Sequence, residues 1–155
     1  MKRVLVVTPR RCIGCRTCEL ACSFVHAVDG ALGTTRVRVS PVVTEAQRHL
    51  PLLCLQCSQA ACVAVCPTGA LRRNEATGAI ELDERRCVRC RLCVVACPFG
   101  NLAVDPGDGA IIKCDLCGGD PACARFCPSQ ALEFKVVEGL GVLAANEQAP
   151  PHESP

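Results

Sequence analysis

Cys87-Val88-Arg89-Cys90-Arg91-Leu92-Cys93-Val94-Val95-Ala96-Cys97-Pro98 places four cysteines at steps of three, three and four residues and ends on a proline. The same grouping recurs along the chain. Cys12, Cys15, Cys18 and Cys22 repeat its spacing, with Ser23 in place of the proline. Cys54, Cys57, Cys62 and Cys66 form another quartet, closed by Pro67. Cys114, Cys117, Cys123 and Cys127 form the last, closed by Pro128. The sixteen cysteines of the 155 residues are thus four quartets with none left over, an internal repeat at uneven intervals.

Thiolates are soft ligands and select iron–sulfur clusters, zinc or copper(I). A zinc ribbon uses two Cys-x-x-Cys pairs and has no use for a third cysteine at the next step. The quartets from Cys12 and Cys87 have that third cysteine and then a fourth. A zinc-binding scaffold is therefore the remote reading. Redox pairs of the thioredoxin kind need one pair of cysteines, not four quartets. The spacing matches the way a two-cluster bacterial ferredoxin binds its 4Fe–4S cubanes. The expected cofactors are four 4Fe–4S clusters, with all sixteen cysteines as metal ligands through iron and no 3Fe–4S centre.

Composition supports this reading. The chain has no Trp, no Tyr and four Phe, too few aromatics for an ordinary core of this size. Clusters would fill space and contribute binding energy to folding instead. The formal charge is +2 with neutral cysteines. Each oxidised cubane with its four thiolates carries roughly −2, so the loaded chain would be near ~−6. Arg11, Arg16, Arg85, Arg86, Arg89, Arg91, Lys113 and Arg125 lie beside ligands and can offset part of it. No long basic run with interleaved aromatics points to nucleic acid. No apolar run is long enough to span a bilayer, and the start of the chain does not resemble a signal peptide. A cytoplasmic location is expected. His26, His49 and His152 are scattered, and there is no dinucleotide fingerprint or P-loop. No catalytic residue is expected.

Short strand-like runs flank the quartets: Arg3–Val7, Arg36–Val39, Pro51–Leu53, Ala70–Arg72, Ala79–Leu82, Leu102–Val104, Ala110–Ile112 and Leu132–Val137. Turn signals lie at Asn74–Gly78 and Asp105–Gly109. A helical turn is expected between the third and fourth cysteine of each quartet. The fold class is α+β: two nested ferredoxin-like modules, each for two 4Fe–4S clusters, with short strands, short helices and many loops.

Ala70–Arg72 and Ala79–Leu82 read as a hairpin between the second and third quartets. Pro51–Leu53 and Leu102–Val104 would be the outer strands of that inner module, residues 50–104. Arg3–Val7 and Leu132–Val137 would be outer strands of a second module, residues 1–49 plus 105–138, with Arg36–Val39 and Ala110–Ile112 inside it. Residues 139–155 form a C-terminal tail. Sequential pairing of the quartets is the alternative, but it lacks a comparably tight hairpin between the first and second.

Three cysteines in a tight loop can wrap one cubane. The fourth, a helical turn further on, faces away and completes the partner cluster. Nested pairing then gives four ligand sets. The first is Cys12, Cys15, Cys18 and Cys127. The second is Cys22, Cys114, Cys117 and Cys123. The third is Cys54, Cys57, Cys62 and Cys97. The fourth is Cys66, Cys87, Cys90 and Cys93.

From Cys12 to Leu132 the chain resembles the four-cluster electron-transfer subunits of the dimethyl sulfoxide reductase and formate dehydrogenase beta-subunit family. The resemblance rests on Cys-Arg-Thr-Cys-Glu-Leu-Ala-Cys-Ser at 15–23, Cys-Leu-Gln-Cys at 54–57, Ala-Cys-Pro-Phe-Gly at 96–100 and Lys-Cys-Asp-Leu-Cys at 113–117. It implies a non-catalytic subunit that relays electrons from a large catalytic partner. Hydrogenase and carbon monoxide dehydrogenase partners belong to the same group. The short fourth motif looks most like the small polyferredoxin subunit of tungsten-dependent aldehyde oxidoreductases. That likeness implies a tungsten or molybdenum pterin subunit oxidising an aldehyde. It also implies a flavin subunit or soluble acceptor downstream, and stacking with further copies of the chain. A freestanding soluble polyferredoxin is the alternative.

Overall fold

A computed structural model of the chain describes residues 2–42 and 48–137. The tail expected at 139–155 lies outside the described residues. The described residues form eight short strands and four short α-helices: β1 Lys2–Val7, α1 Thr17–Val25, β2 Val37–Val42, β3 Arg48–Leu53, α2 Ala61–Ala64, β4 Leu71–Arg73, β5 Ile80–Leu82, α3 Leu92–Ala96, β6 Ala103–Val104, β7 Ile111–Ile112, α4 Ala122–Arg125 and β8 Leu132–Val137. The class is α+β, as the alternation of strand runs and cysteine loops implies. Among the described residues no helix is long and apolar enough to cross a membrane.

The strands form four antiparallel pairs. β1 pairs with β8 from Lys2↔Val137 to Val7↔Leu132, bringing the two ends of the described chain together. β4 pairs with β5, with Leu71 opposite Leu82. Both pairings follow the sequence expectation. The other two differ from it. Pro51–Leu53 pairs with Val37–Val39 in β2·β3, not with Leu102–Val104. Ala103–Val104 pairs with Ile111–Ile112 in β6·β7, so Ala110–Ile112 is not an inner strand partnered with Arg36–Val39.

For β6·β7 the reason is local turn chemistry. In Asn74–Gly78, Ala79 O accepts from Asn74 N at 2.8 Å and Asn74 O accepts from Gly78 N at 2.7 Å. The Asn74 side-chain oxygen also takes the Ala76 N–H. Asp105–Gly109 repeats this pattern: Asp105 N donates to Ala110 O at 2.8 Å, Gly109 N to Asp105 O at 3.0 Å, and Asp105 Oδ1 accepts from Gly107 N. Gly78 and Gly109 both adopt φ 74°, which glycine reaches without strain. Equal turn chemistry gives equal hairpins, and a short loop costs less closure entropy than a remote partner.

Two apolar cores result. One joins Cys18, Cys22, Val37, Val39, Leu53, Cys123 and Leu132, with Leu5, Val7, Cys12 and Cys127 against it. The other joins Cys62, Leu71, Ile80, Cys93, Leu102 and Ile111, with Cys66, Cys87 and Cys97 against it. Helix α1 packs on α4, and α2 on α3. Burial stabilises these cores by roughly 1.5–3 kcal/mol per fully buried aliphatic side chain. Cysteines are a large part of both cores, so the fold depends on what those cysteines hold.

Candidate iron–sulfur centres

None of the sixteen cysteines is joined in a disulfide. Their loops share one backbone device. The residue before the second cysteine of every quartet has positive φ: Gly14 at 72°, Gln56 at 50°, Arg89 at 54° and Leu116 at 57°. For a side-chain-bearing residue this conformation costs about 1–2 kcal/mol. A left-handed residue in a tight loop is the kind of turn in which successive backbone N–H groups can form a nest for an anionic group such as an iron–sulfur cluster.

A second device follows the fourth cysteine. Gly69, Gly100 and Gln130 have φ of 59°, 60° and 54°, and each donates its N–H to the cysteine carbonyl three residues back at 3.2 Å. The proline after Cys66, Cys97 and Cys127 stops the helix there. Ser23 imposes no such stop, and α1 runs nine residues while the other three helices have four or five.

The folded chain gathers cysteines distant in sequence. Cys12, Cys15, Cys18 and Cys127 line one cavity with Ile13, Arg16 and Leu132. Cys22, Cys114, Cys117 and Cys123 line another with His26, Arg36 and Asp115. Cys66, Cys87, Cys90 and Cys93 line a third with Thr68, Leu71 and Val88. Each cysteine group coincides with one set from the cross-ligation argument. Of the remaining set, Cys54 and Cys97 lie near enough to Cys62 for their negative charge to raise its thiol, after burial, the larger cause. Cys57 is half-buried in the loop between Cys54 and Cys62.

Burial raises several of these thiols, which favours a cation beside them, while hydrogen bonds outweigh burial and lower Cys22 and Cys66. Burial pushes the Cys18 thiol up to about 11, with Glu19, Cys12 and Cys127 adding to it. Burial also pushes Cys114 up to about 11, with Cys54 contributing, and raises Cys123 further still, with Cys114, Cys22 and Cys117 adding. Cys93 and Cys117 are raised by burial too. Four thiolates packed together repel one another and lose solvation. A polycationic iron–sulfide core reverses both effects, so the donor set fits 4Fe–4S clusters. When bound, each supplies a one-electron couple.

Neighbours of the sulfurs were less visible in the sequence. Thr17 donates its hydroxyl to Cys15 Sγ at 3.4 Å and lowers that thiol. Thr68 lies 3.7 Å from Cys66 Sγ and Ser129 3.8 Å from Cys127 Sγ. All three follow their cysteine by two residues. The Arg36 backbone N–H donates to Cys22 Sγ at 3.2 Å. His26, one of three histidines scattered in the sequence, contacts a cysteine loop. Its Nδ1 is 2.8 Å from Cys22 O, and its Nε2 is 3.4 Å from Asp115 Oδ1. Asp115, then Cys22, raise its pKa to about 9, and the His26 hydrogen bond holds Asp115 down at about 2. His49 and Gly14 are close, so a side chain at 14 would strike the imidazole.

The profile described as "4Fe-4S dicluster domain" matches residues 45–137, and a second of the same description matches residues 11–71. The chain is 37% identical to the aliphatic sulfonate oxidoreductase polyferredoxin-like subunit of Pyrococcus furiosus, over 87% of this chain and 78% of that one. It is 36% identical to formate hydrogenlyase subunit 2 of Escherichia coli, over 86% of this chain and 82% of that one. It is 36% identical to the thiosulfate reductase electron transfer subunit PhsB of Salmonella typhi, over 84% of this chain and 74% of that one.

Proposed function

The chain belongs to the 4Fe-4S dicluster domain family, and on that premise we propose that it is a non-catalytic electron-transfer subunit carrying four 4Fe–4S clusters in two cross-ligated pairs. The observation that carries the reading is the gathering of remote cysteines around three cavities. Each of those cavities takes three cysteines from one quartet and one from another.

Cross-ligation makes the order of the clusters linear. Cys18 and Cys22 share α1, linking the first set to the second. The second and third sets are neighbours because the charge of Cys54 acts on Cys114. The third and fourth are linked because Cys62 acts on Cys93. Cys15 and Cys90 are the exposed cysteines, one in the first set and one in the fourth. The ends of the wire therefore face outward, and partners would exchange electrons there. Ile13 and Val88, each 64% exposed, hold equivalent places in the two end loops and suit an apolar contact. Quartets one and four with their strands form one module, and quartets two and three the other.

The relatives named above are subunits of oxidoreductases, which supports a large catalytic partner at one end. The compact fourth motif favours a tungsten or molybdenum pterin subunit that oxidises an aldehyde. A flavin subunit, a soluble acceptor or a further copy of the chain would take the electrons at the other end. Anaerobic purification of the tagged chain from its own cells tests this. Recovery with a large catalytic subunit is expected. Recovery as a lone monomer with a full complement of clusters would overturn the subunit reading in favour of a freestanding polyferredoxin.

A further inference from the structure

Among the described residues one charged side chain is buried: Lys113, 5% exposed, directly after β7. Its Nζ donates to Cys54 Sγ at 3.2 Å, to Gln56 Oε1 at 3.4 Å and to Cys114 O at 2.9 Å. The Gln56 amide is fixed by two further bonds, with Oε1 accepting from Ile80 N at 2.8 Å and Nε2 donating to Cys114 O at 2.9 Å. The three partners of Nζ are therefore a cysteine sulfur, an amide oxygen and a backbone carbonyl. An ammonium has three hydrogens and no acceptor, so this cage matches it atom for atom. A buried cation survives only where it is paired and hydrogen-bonded.

The place of this charge is informative. The first and second sets share helix α1, and the third and fourth are joined by quartets two and three, whose helices α2 and α3 pack together. The second and third sets share no helix. Lys113 spans that junction, touching Cys54 of the third set and the carbonyl of Cys114 of the second. Its charge favours the thiolates of Cys62 and Cys114 against the opposing effect of burial. From the other side, Arg36 Nε donates to Lys113 O at 3.0 Å while the Arg36 N–H donates to Cys22 Sγ.

We propose that Lys113 is a positioning residue for the two middle clusters, whose ammonium holds up both of their reduction potentials and ties the two modules together at the electron crossing. The inference rests on the ligand sets proposed above. Reduction adds one negative charge to a cluster, and a fixed positive charge in a low-dielectric interior favours the reduced form. The effect falls with distance, so the end clusters feel less of it. One electron crossing the junction oxidises one middle cluster and reduces the other.

The test is a redox titration of the anaerobically purified full chain, followed by electron paramagnetic resonance, for wild type, Lys113→Met and Lys113→Arg. Iron and sulfide are quantified on each sample. The expected result is that Lys113→Met weakens the reduction equilibrium of two of the four clusters about tenfold, which is about 59 mV for a one-electron couple. Lys113→Arg, which keeps the charge, leaves those two near wild type. Four unchanged midpoints, or an equal shift of all four, would overturn the proposal. If Lys113→Met loses iron, the Arg variant decides: middle midpoints lowered at full iron content would equally overturn it. Wild-type protein lacking four clusters would instead refute the ligand sets beneath the proposal, and iron analysis alone would show that.

Discussion

The end sets and the middle sets of cysteines are built from the same motif, yet their surroundings are opposite. Each end set keeps one exposed cysteine, Cys15 or Cys90, and sulfurs near hydroxyls: Thr17 beside Cys15, Ser129 beside Cys127 and Thr68 beside Cys66. The middle sets have no exposed cysteine. Their polar neighbours are Lys113, His26 and Asp115, drawn from other parts of the chain. The difference teaches that ligand spacing determines what is bound, while burial and long-range neighbours determine how it behaves. A relay needs both environments. Its ends must be reachable by partners, and its middle must be shielded from everything except the next cluster.

Chelation is the most drastic way to break this comparison. Both cores contain cysteines, so full removal of iron should abolish the cooperative fold. Under a strong chelator, iron should leave in two phases, with the exposed ends first and the middle only on unfolding. Absorbance of the clusters followed together with far-ultraviolet circular dichroism reads both phases. A single phase with no prior loss would erase the distinction between ends and middle.

Cys127→Ala has the next largest effect. Cys127 lines the cavity with Cys12, Cys15 and Cys18, although its own quartet begins at Cys114. The variant should damage or convert the first end cluster and leave the second set its four cysteines. Spectroscopy that shows instead the loss of the cluster held by Cys114, Cys117 and Cys123 would refute cross-ligation.

The smallest effect concerns the His26–Asp115 pair at a middle set. His26 is raised from about 6.5 unfolded to about 9 folded. Its stabilisation is therefore complete below pH ~6.5 and is lost as pH rises through about 9. Asp115, held at about 2, contributes above its unfolded value and loses that contribution as pH falls through about 2. His26→Gln should lower the melting temperature most near pH 6 and hardly at all above pH ~9. A pH-independent difference would mean that the imidazole acts by packing alone.

Much of this was legible in the sequence. Cysteine spacing gave the quartets, and the short strand-like runs flanking them gave the eight described strands to within a few residues. Asn74–Gly78 was read correctly as a hairpin, yet the equivalent Asp105–Gly109 was used as a boundary between modules. Its Asp and Gly carry the same turn chemistry, and that signal could have identified β6·β7. Lys113 was seen as one basic residue among eight. Its position straight after the apolar run Ala110–Ile112 and before Cys114 was the available hint of burial. The His26–Asp115 pair joins residues 89 apart in sequence, and nothing local at either position announces the other.

The central claim is that the chain holds four cubanes, two reachable and two shielded. Iron and acid-labile sulfide per chain, measured on anaerobically purified protein, test it most directly. The account predicts roughly sixteen of each, four per cubane, with no stoichiometric zinc. About eight of each, or a colourless protein loaded with zinc, would contradict it.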